Sequence, residues 1–319
     1  MTKEERRAVR KDLGRVNRFT LLYSLVFTFV TLGAMAAGVA PLVADNPDVA
    51  LEKVQEVMNQ QSGVTSLTAL IFGLVFILLN RRRQLFASDL RTPDRRTMTA
   101  PVFFAAVALL FTAQVLFFAL DPIVRWVAEQ FGYSMYTTSD SLEDASGTLA
   151  MILYAGFLGP IVEEVIFRGV VLRGFAKYGK VFAIVTSAAL FGIFHGDIVQ
   201  GVFAFVAGLL FGIVAIEFGI GWSIALHIVN NFVFADLLMR AFALLPAAWQ
   251  EPAQIALIFG VGIIGGGLAL WKNRANIASY YRTNRTEKGV IPVLWTVPSF
   301  WLFLLMQLAM VSMSFTKVG

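Results

Sequence analysis

The stretch Gly159-Pro160-Ile161-Val162-Glu163-Glu164-Val165-Ile166-Phe167-Arg168-Gly169 places two adjacent carboxylates within an apolar run. An ionisable side chain inside a membrane helix is costly, so its presence there indicates function. At about 100° per residue, Glu163 and Glu164 point to neighbouring faces, and Arg168 lies one turn beyond Glu164. An ion pair of Arg168 with Glu164 would leave Glu163 free to act as a general base. The alternative interpretation is a charge cluster at a helix end, at the cytoplasmic interface.

Apolar segments like this one make up most of the chain. Of its 319 residues, 57% are hydrophobic and 15% charged, and the mean hydropathy is +0.71. A spanning helix needs about 20 apolar residues because its backbone must hydrogen-bond internally in lipid. The sequence therefore predicts an all-α, polytopic transmembrane bundle of about eight or nine spans. The predicted spans are 19–43, 64–80, 101–120, 147–167, 181–199, 201–218, 222–239, 254–271 and 291–313.

Basic residues are unevenly distributed between these spans. Four groups, at 3–18, 81–96, 168–180 and 272–288, hold all but four of the 26 Lys and Arg residues. Cytoplasmic connections carry an excess of such residues, so we expect a cytoplasmic N-terminus and these groups inside. The residues predicted outside are the basic Lys53, Arg125, Arg240 and Lys317 and the acidic Asp45, Asp48, Glu52, Glu56, Asp140, Glu143 and Asp144.

The chain divides into four predicted parts. A basic cytoplasmic N-terminus covers 1–18, N-terminal helices and loops 19–146, a core with the polar anomalies 147–239, and C-terminal helices 240–319. No small-residue cleavage signal follows the first apolar run, which we interpret as a retained span. The basic groups are expected to contact lipid headgroups, not nucleic acid.

The only two histidines, His195 and His227, both lie in apolar segments. Phe191 precedes His195 by one helical turn and is expected to pack against its ring. Asn231 follows His227 by one turn, which places an amide and an imidazole on one face. The absence of cysteine excludes disulfides, thiolate ligands and a cysteine nucleophile. No chemistry is assigned to the nearby polar residues Asp197, Glu217, Asn230 and Asp236.

The depths of these residues can be compared along the chain. Glu163 and His195 each lie 16 residues from Gly179, so an antiparallel helix pair would place them level. His227 lies only a few residues into its predicted span, which indicates a position nearer the cytoplasm. Either the Gly219-Ile220-Gly221 link lies within the membrane, or helices are tilted or broken around a cavity.

Taken in order, Glu163-Glu164-x3-Arg168, Phe191-x3-His195 and His227-x3-Asn231 resemble the three motifs of the CPBP family. That family contains CAAX prenyl endopeptidases of the second type, bacteriocin-processing enzymes and Abi proteins. The resemblance covers about 147–239, with each motif in its own apolar helix. It implies an α-helical membrane fold with a membrane-embedded polar catalytic cavity, in which a Glu- and His-activated water hydrolyses a peptide bond.

The resemblance also implies a role for each motif residue. Glu163 would be the general base, and His195 would help to hold and polarise the water. His227 and Asn231 would stabilise the oxyanion. Glu164 and Arg168 would orient and compensate Glu163, with a shared water contact as the alternative for Glu164.

A zinc ion is the alternative to metal-free catalysis, because the family is often described as metalloproteases and His/Glu sets bind zinc. The ligands would then be Glu163, His195 and His227. The chain has no His-Glu-x-x-His helix, and these ligands would come from three separate helices. We therefore favour catalysis without a cofactor.

Two other classes of protein stay open. A proton-coupled transporter would use intramembrane Glu and His as a relay, but it predicts paired polar sites in both halves of the chain. A non-catalytic scaffold could share the fold, since motifs do not establish turnover. The expected partners are membrane lipids and a peptide or lipid-anchored protein substrate, prenylated or not. The expected location is a bacterial plasma membrane.

Overall fold

A computed structural model describes residues 1–46, 49–91, 96–136 and 148–318. The described residues form an all-α bundle of ten helices and one short two-stranded sheet. The helices are α1 (Lys3–Asp45), α2 (Leu51–Gln84, extended by a π-helical turn Leu85–Asp89), α3 (Ala100–Gln130), α4 (Leu149–Ala176), α5 (Lys180–Phe194), α6 (Ile198–Glu217), α7 (Ile220–Ala243), α8 (Ala247–Thr283), α9 (Val290–Leu294) and α10 (Pro298–Met313). The strands are β1 (Tyr133–Met135) and β2 (Phe315–Lys317).

Seven of these helices, α1 to α4 and α6 to α8, are long and apolar enough to cross a membrane within the described ranges. The shorter apolar helices α5 and α10 coincide with the fifth and ninth predicted spans. The predicted polytopic helical fold is thus confirmed, and the chain is a multi-pass integral membrane protein. The basic residues of 1–18 are not a separate segment, because α1 begins at Lys3. Thr2 and Glu5 cap it reciprocally, with hydrogen bonds of 3.2 and 2.6 Å.

The basic N-terminal turns of α1 meet the link between α4 and α5. Lys177 forms an ion pair with Asp12, and the Tyr178 hydroxyl donates to the same carboxylate at 3.1 Å. The hydrogen bond to Asp12 raises the pKa of Lys177. The Glu287 N–H donates to the Tyr178 carbonyl at 3.1 Å, which adds the segment after α8 to this contact.

Glu217, the last residue of α6, joins the same side of the bundle. Its carboxylate accepts from Lys180 Nζ at 2.7 Å and from the Tyr280 hydroxyl at 2.9 Å, and Arg96 Nε lies 3.4 Å away. The four basic groups therefore lie together on one side, as the sequence predicts. That this side faces the cytoplasm stays a prediction. Of the predicted external acids, Asp48, Asp140, Glu143 and Asp144 lie outside the described residues.

The opposite side carries the sheet. β1 and β2 pair antiparallel, with Met135 opposite Phe315 and Tyr133 opposite Lys317. Arg125 Nη1 donates to the Met135 carbonyl at 3.0 Å, so two residues predicted outside, Arg125 and Lys317, lie near each other. In the interior of the bundle, Gln307 of α10 donates to Ser24 Oγ of α1 at 2.8 Å, which ties the first and last helices together.

Helices α5 and α6 form a closely packed antiparallel pair. A Cβ on Gly192 would lie 2.5 Å from the Gly201 carbonyl oxygen, and one on Gly208 would lie 3.2 Å from Ala188. Small residues let helix backbones approach in this way. Ser187 Oγ in turn donates to the Phe167 carbonyl of α4 at 2.7 Å. The α5–α6 pair is thereby fixed against the helix that carries the two glutamates.

Candidate active site

The two glutamates lie in an irregular part of α4. Their α-helical turn, Gly159–Glu164, is flanked by the π-helical segments Tyr154–Leu158 and Val165–Leu172. Such segments are rare and frequently occur at functional sites. The Glu164 side chain is fully buried, whereas that of Glu163 is 17% exposed. The two neighbouring carboxylates therefore differ in environment, and only Glu163 is accessible.

Glu164 is held by partners from two helices. Ser223 Oγ lies 2.5 Å from its Oε2, His227 Nδ1 lies 3.1 Å from its Oε1, and Arg168 Nε lies 3.3 Å from its Oε2. The Ser223 hydroxyl also lies 3.0 Å from the Phe211 carbonyl, and its single proton favours the carboxylate as the stronger acceptor. This surrounding favours an orienting role for Glu164, as the ion pair with Arg168 predicts.

Arg168 is fully buried between two aromatic rings. Its guanidinium carbon lies 4.4 Å from the Phe191 centroid and 5.4 Å from that of Phe211. Nη2 donates to the Gly208 carbonyl at 3.3 Å, while Nε and Nη1 make no hydrogen bond among the described residues. The cation is therefore stabilised mainly by Glu164 and by the faces of the rings.

His227 lies between the two glutamates. Its Nδ1 faces Glu164 at 3.1 Å, and its Nε2 lies 3.7 Å from Glu163 Oε2. The Phe211 ring stacks on the imidazole at a centroid distance of 4.8 Å. Because an ionised Glu164 only accepts, it fixes a proton on Nδ1 and directs Nε2 towards Glu163.

The depth of His227 follows from the turn between α6 and α7. Gly219 has φ of +108°, which favours glycine, and Ile220 Cδ1 lies 3.7 Å from the position of a Cβ on Gly169. The turn thus packs against α4 only five residues from Glu164, not at the end of that helix. Seven residues of α7 then bring His227 level with Glu164, so the expectation of a shallower His227 is wrong.

His195 is the first residue after α5 and does not lie within that helix as expected. Gly196, with φ of +60°, turns the chain there. The His195 N–H bonds the Gly192 carbonyl, which leaves the Phe191 carbonyl to accept from His195 Nδ1 at 2.8 Å. The neutral ring then keeps a lone pair on Nε2. The Phe191 ring makes edge contacts with both His195 and His227, at 4.8 and 5.7 Å, so the three motifs converge around it.

Asn231 is positioned by a chain of amides. Gln114 Nε2 of α3 donates to Asn230 Oδ1 at 3.2 Å, and Asn230 Nδ2 donates to Asn231 Oδ1 at 2.9 Å. Asn231 Nδ2 donates one proton to the Ala155 carbonyl at 3.0 Å. The second proton on that nitrogen is left for another acceptor.

Sequence reasoning missed Ser223, Phe211, Gln114 and Asn230 as parts of this site. The sequence pattern could have identified Ser223, because it precedes His227 by four residues just as Asn231 follows it by four. It could also have identified Gln114, which is a lone amide in an apolar span. It could not have identified Phe211, because one aromatic residue in an apolar helix is indistinguishable from ordinary packing.

The suggested zinc ligands do not form a ready metal site. Within the described ranges, no group of three or more His, Asp or Glu side chains is arranged to hold a metal. Nδ1 of His195 is engaged by Phe191 and Nδ1 of His227 by Glu164. Zinc dependence stays an untested alternative.

These features define a multi-pass helical membrane protein with a buried cluster of carboxylates, imidazoles and an amide suited to activating water. Residues 145–233 match the family model described as Type II CAAX prenyl endopeptidase Rce1-like. This match confirms the predicted resemblance and, at the level of that family, supports an intramembrane CAAX-type endopeptidase. Neither the curated proteins nor the solved structures give a significant match to the chain. The matched range includes all the predicted site residues: Glu163, Glu164, Arg168, Phe191, His195, His227 and Asn231.

Proposed function

We propose that this protein hydrolyses a peptide bond within the membrane, with a water activated by Glu163 and His195. The observation that carries the proposal is the position of His227, whose ring nitrogens lie 3.1 Å from Glu164 and 3.7 Å from Glu163. A fully buried carboxylate thereby orients an imidazole towards a second, accessible carboxylate. Sites that activate water are commonly built in this way.

Glu163 acts as the general base. Its carboxylate makes no hydrogen bond to another side chain in the described part of the chain, so it is free to accept a proton from water. His195 supports it, because its Nδ1 is engaged by Phe191 and its Nε2 lone pair can accept a hydrogen bond from the other O–H of the water, which keeps that proton. A positioned base of this kind contributes roughly 10² to 10⁴ in rate.

His227 and Asn231 stabilise the oxyanion. The attacking water oxygen bonds the peptide carbon, and the carbonyl oxygen takes up the negative charge. His227 Nε2–H and the second N–H of Asn231 donate to that oxygen. Glu163 then gives its proton to the leaving amine as the C–N bond breaks.

The charge balance of the buried groups supports this role for His227. Donation from Nε2 requires that both ring nitrogens carry protons. Glu163 and Glu164 then carry two negative charges, and Arg168 and His227 carry two positive charges. A neutral set is favourable because uncompensated charge in a low-dielectric interior is strongly destabilising.

The substrate is a membrane-associated peptide or a lipid-anchored protein that reaches the site from the basic side, which faces the cytoplasm of a bacterial cell. The match of residues 145–233 to a family of type II CAAX prenyl endopeptidases supports a prenylated CAAX terminus. A pair of peptides identical except for the prenyl group tests this point. Cleavage of the prenylated peptide alone supports a CAAX substrate, and equal cleavage of both favours general peptide processing.

The central experiment compares peptide cleavage by the purified protein in nanodiscs with that by Glu163→Gln and His227→Ala. The matched control is Glu129→Gln, which neutralises an exposed carboxylate of α3. We expect loss of turnover in both site variants, full activity in the control and no effect of a chelator. Activity lost with a chelator and restored by zinc would contradict metal-free catalysis. Turnover retained by a folded Glu163→Gln protein would refute the assignment of the base. Absence of turnover in the folded wild type and in every variant would favour a scaffold or transporter.

A further inference from the structure

A groove of about 540 Å³ lies on the basic side, between α1 and the start of α10. None of its lining residues belongs to the glutamate cluster, and none takes part in the proposed chemistry. Its lining combines cations from α1 with apolar side chains from both helices. This combination indicates a ligand that is anionic at one end and apolar at the other.

The cations form one face of α1. Arg7 precedes the adjacent Arg10 and Lys11 by about one helical turn, Arg18 follows them by about two, and all four line the groove. None of the four forms an ion pair or a side-chain hydrogen bond within the described ranges, whereas Arg15, which does not line the groove, lies 4.0 Å from Asp12. The groove therefore concentrates positive charge that no acidic side chain of the described residues compensates.

Gly14 forms the floor of the groove. It lies on the same face of α1, between Lys11 and Arg18, and a Cβ there would lie 3.8 Å from Val297. The missing side chain leaves space between the cations and the turn before α10. A larger residue at this position would fill that space without changing the charge.

The apolar part of the groove continues towards the membrane. Leu21 and Leu22 follow Arg18 on α1, and Leu302 faces them from α10 with 56% of its surface exposed. Trp295 and Trp301 lie beside this turn, 51% and 43% exposed, and the Trp301 indole donates to the Trp295 carbonyl. Half-exposed tryptophans are typical of the headgroup level of a bilayer. The groove therefore crosses from headgroups to acyl chains.

The N-terminus of α10 adds to the positive potential. This helix of 16 residues begins at Pro298 in the groove, and no side chain caps its first turn. Helix N-termini favour anions through their free N–H groups and dipole.

We propose that this groove binds one anionic phospholipid, with its phosphate among Arg10, Lys11 and Arg18 and its acyl chains along Leu22 and Leu302. The lipid would bridge α1 and α10 at the membrane surface. A soluble polyanion would use the cations but not the apolar surface below them, and a neutral lipid would do the reverse.

The test measures binding of dioleoylphosphatidylglycerol and dioleoylphosphatidylcholine to the full-length protein in detergent by native mass spectrometry. The wild type should prefer phosphatidylglycerol. Arg10→Gln/Arg18→Gln should weaken that binding by roughly tenfold or more, as basic residues near anionic lipid contribute several-fold each. Gly14→Leu, with its charge intact, should also weaken it. The matched control, Arg82→Gln/Arg83→Gln, removes two exposed cations of the same side outside the groove and should leave binding unchanged.

Three results would overturn the proposal. Equal binding of both lipids would show that the charge of the headgroup is not recognised. An equal loss in the Arg82/Arg83 control would indicate a diffuse surface effect. Unchanged binding in Gly14→Leu would show that the lipid does not occupy the groove. Thermal unfolding provides a second readout that separates the sources of phosphate. Phosphatidylglycerol should raise the unfolding temperature, and an equal rise with inorganic phosphate alone would identify a free anion as the ligand.

Discussion

Pro160 leaves the carbonyl oxygen of Ala155 without a donor from its own helix. In the π-helical register of Tyr154–Leu158, the Gly159 N–H bonds the Tyr154 carbonyl, so the next donor would be residue 160. Proline has no N–H to offer. Asn231 Nδ2 donates to this oxygen instead, at 3.0 Å. A proline in α4 thus determines the direction of an amide in α7.

Pro160→Ala should therefore lower the cleavage rate without unfolding the protein. The new N–H can bond the Ala155 carbonyl and displace Asn231 from it. One neutral hydrogen bond is worth about 1 kcal/mol, so we expect roughly a fivefold loss in kcat with a smaller change in KM. Pro252→Ala, within α8, is the control and should retain full kcat. An unchanged kcat in Pro160→Ala would contradict the positioning role.

Gln114→Met should also lower kcat, because it disturbs the hydrogen bond that Asn231 Oδ1 accepts from Asn230. The change removes the donor to Asn230 Oδ1, so the Asn230 amide loses its fixed orientation towards Asn231. We expect a threefold to tenfold loss, in line with about 1 kcal/mol for one hydrogen bond. Gln130→Met, at an exposed position of the same helix, controls for the loss of an amide. If both variants behave alike, the amide chain has no functional role.

Arg168→Met should destabilise the protein by about 3 to 5 kcal/mol, because it leaves Glu164 as an uncompensated buried charge. Glu164→Gln/Arg168→Met should cost less than the sum of the two single changes, since it removes both charges together. Equilibrium unfolding in mixed micelles measures the free energy of unfolding of the single and double variants. Arg240→Met, which breaks an exposed pair with Asp236, should have little effect. Additive effects of the two buried changes would show that Arg168 and Glu164 are not coupled.

The two nitrogens of His195 can be tested separately. In His195→Asn, the amide nitrogen replaces Nδ1 and can still donate to the Phe191 carbonyl, but nothing replaces Nε2. We expect a folded protein with at least about 100-fold lower turnover. His195→Gln can present an acceptor at the Nε2 position and should retain more activity. The reverse order of activities would place the function on Nδ1.

The orientation can be measured directly because the chain has no cysteine of its own. Single cysteines at Lys3 and Lys288 should react with a membrane-impermeant maleimide only from the cytoplasmic side of oriented vesicles. Cysteines at Lys53 and Lys317 should react only from the other side. All four positions are exposed, so accessibility reports orientation rather than burial. Labelling with the opposite pattern would invert the predicted topology.

The sequence was sufficient to predict the order of the helices because lipid requires long apolar runs with internally bonded backbones. It also identified Glu163, His195 and His227 as candidate site residues, since ionisable groups are costly in such runs. The depth of His227 could not be predicted in this way. It depends on Gly219 packing the α6–α7 turn against Gly169, a contact between segments 50 residues apart.

The π-helical register of α4 could not be predicted from the sequence either. Pro160 indicates a weak point in a helix, but whether the chain kinks, breaks or widens into a π turn depends on what fills the freed position. Here that partner is Asn231, which lies three helices later in the chain. Ser223 was accessible in principle, because its spacing from His227 repeats that of Asn231.

The hydrogen bond between Ser24 and Gln307 has a consequence for biosynthesis. Its two partners are separated by 283 residues, so α1 enters the membrane long before α10 is available to pack against it. Tyr23, beside Ser24, contacts Phe194 next to the His195 turn, with ring centroids 6.0 Å apart. The packing of α1 beside the His195 turn is therefore complete only after α10 has been inserted. The proposed hydrolysis is therefore expected only after α10 has been inserted into the membrane.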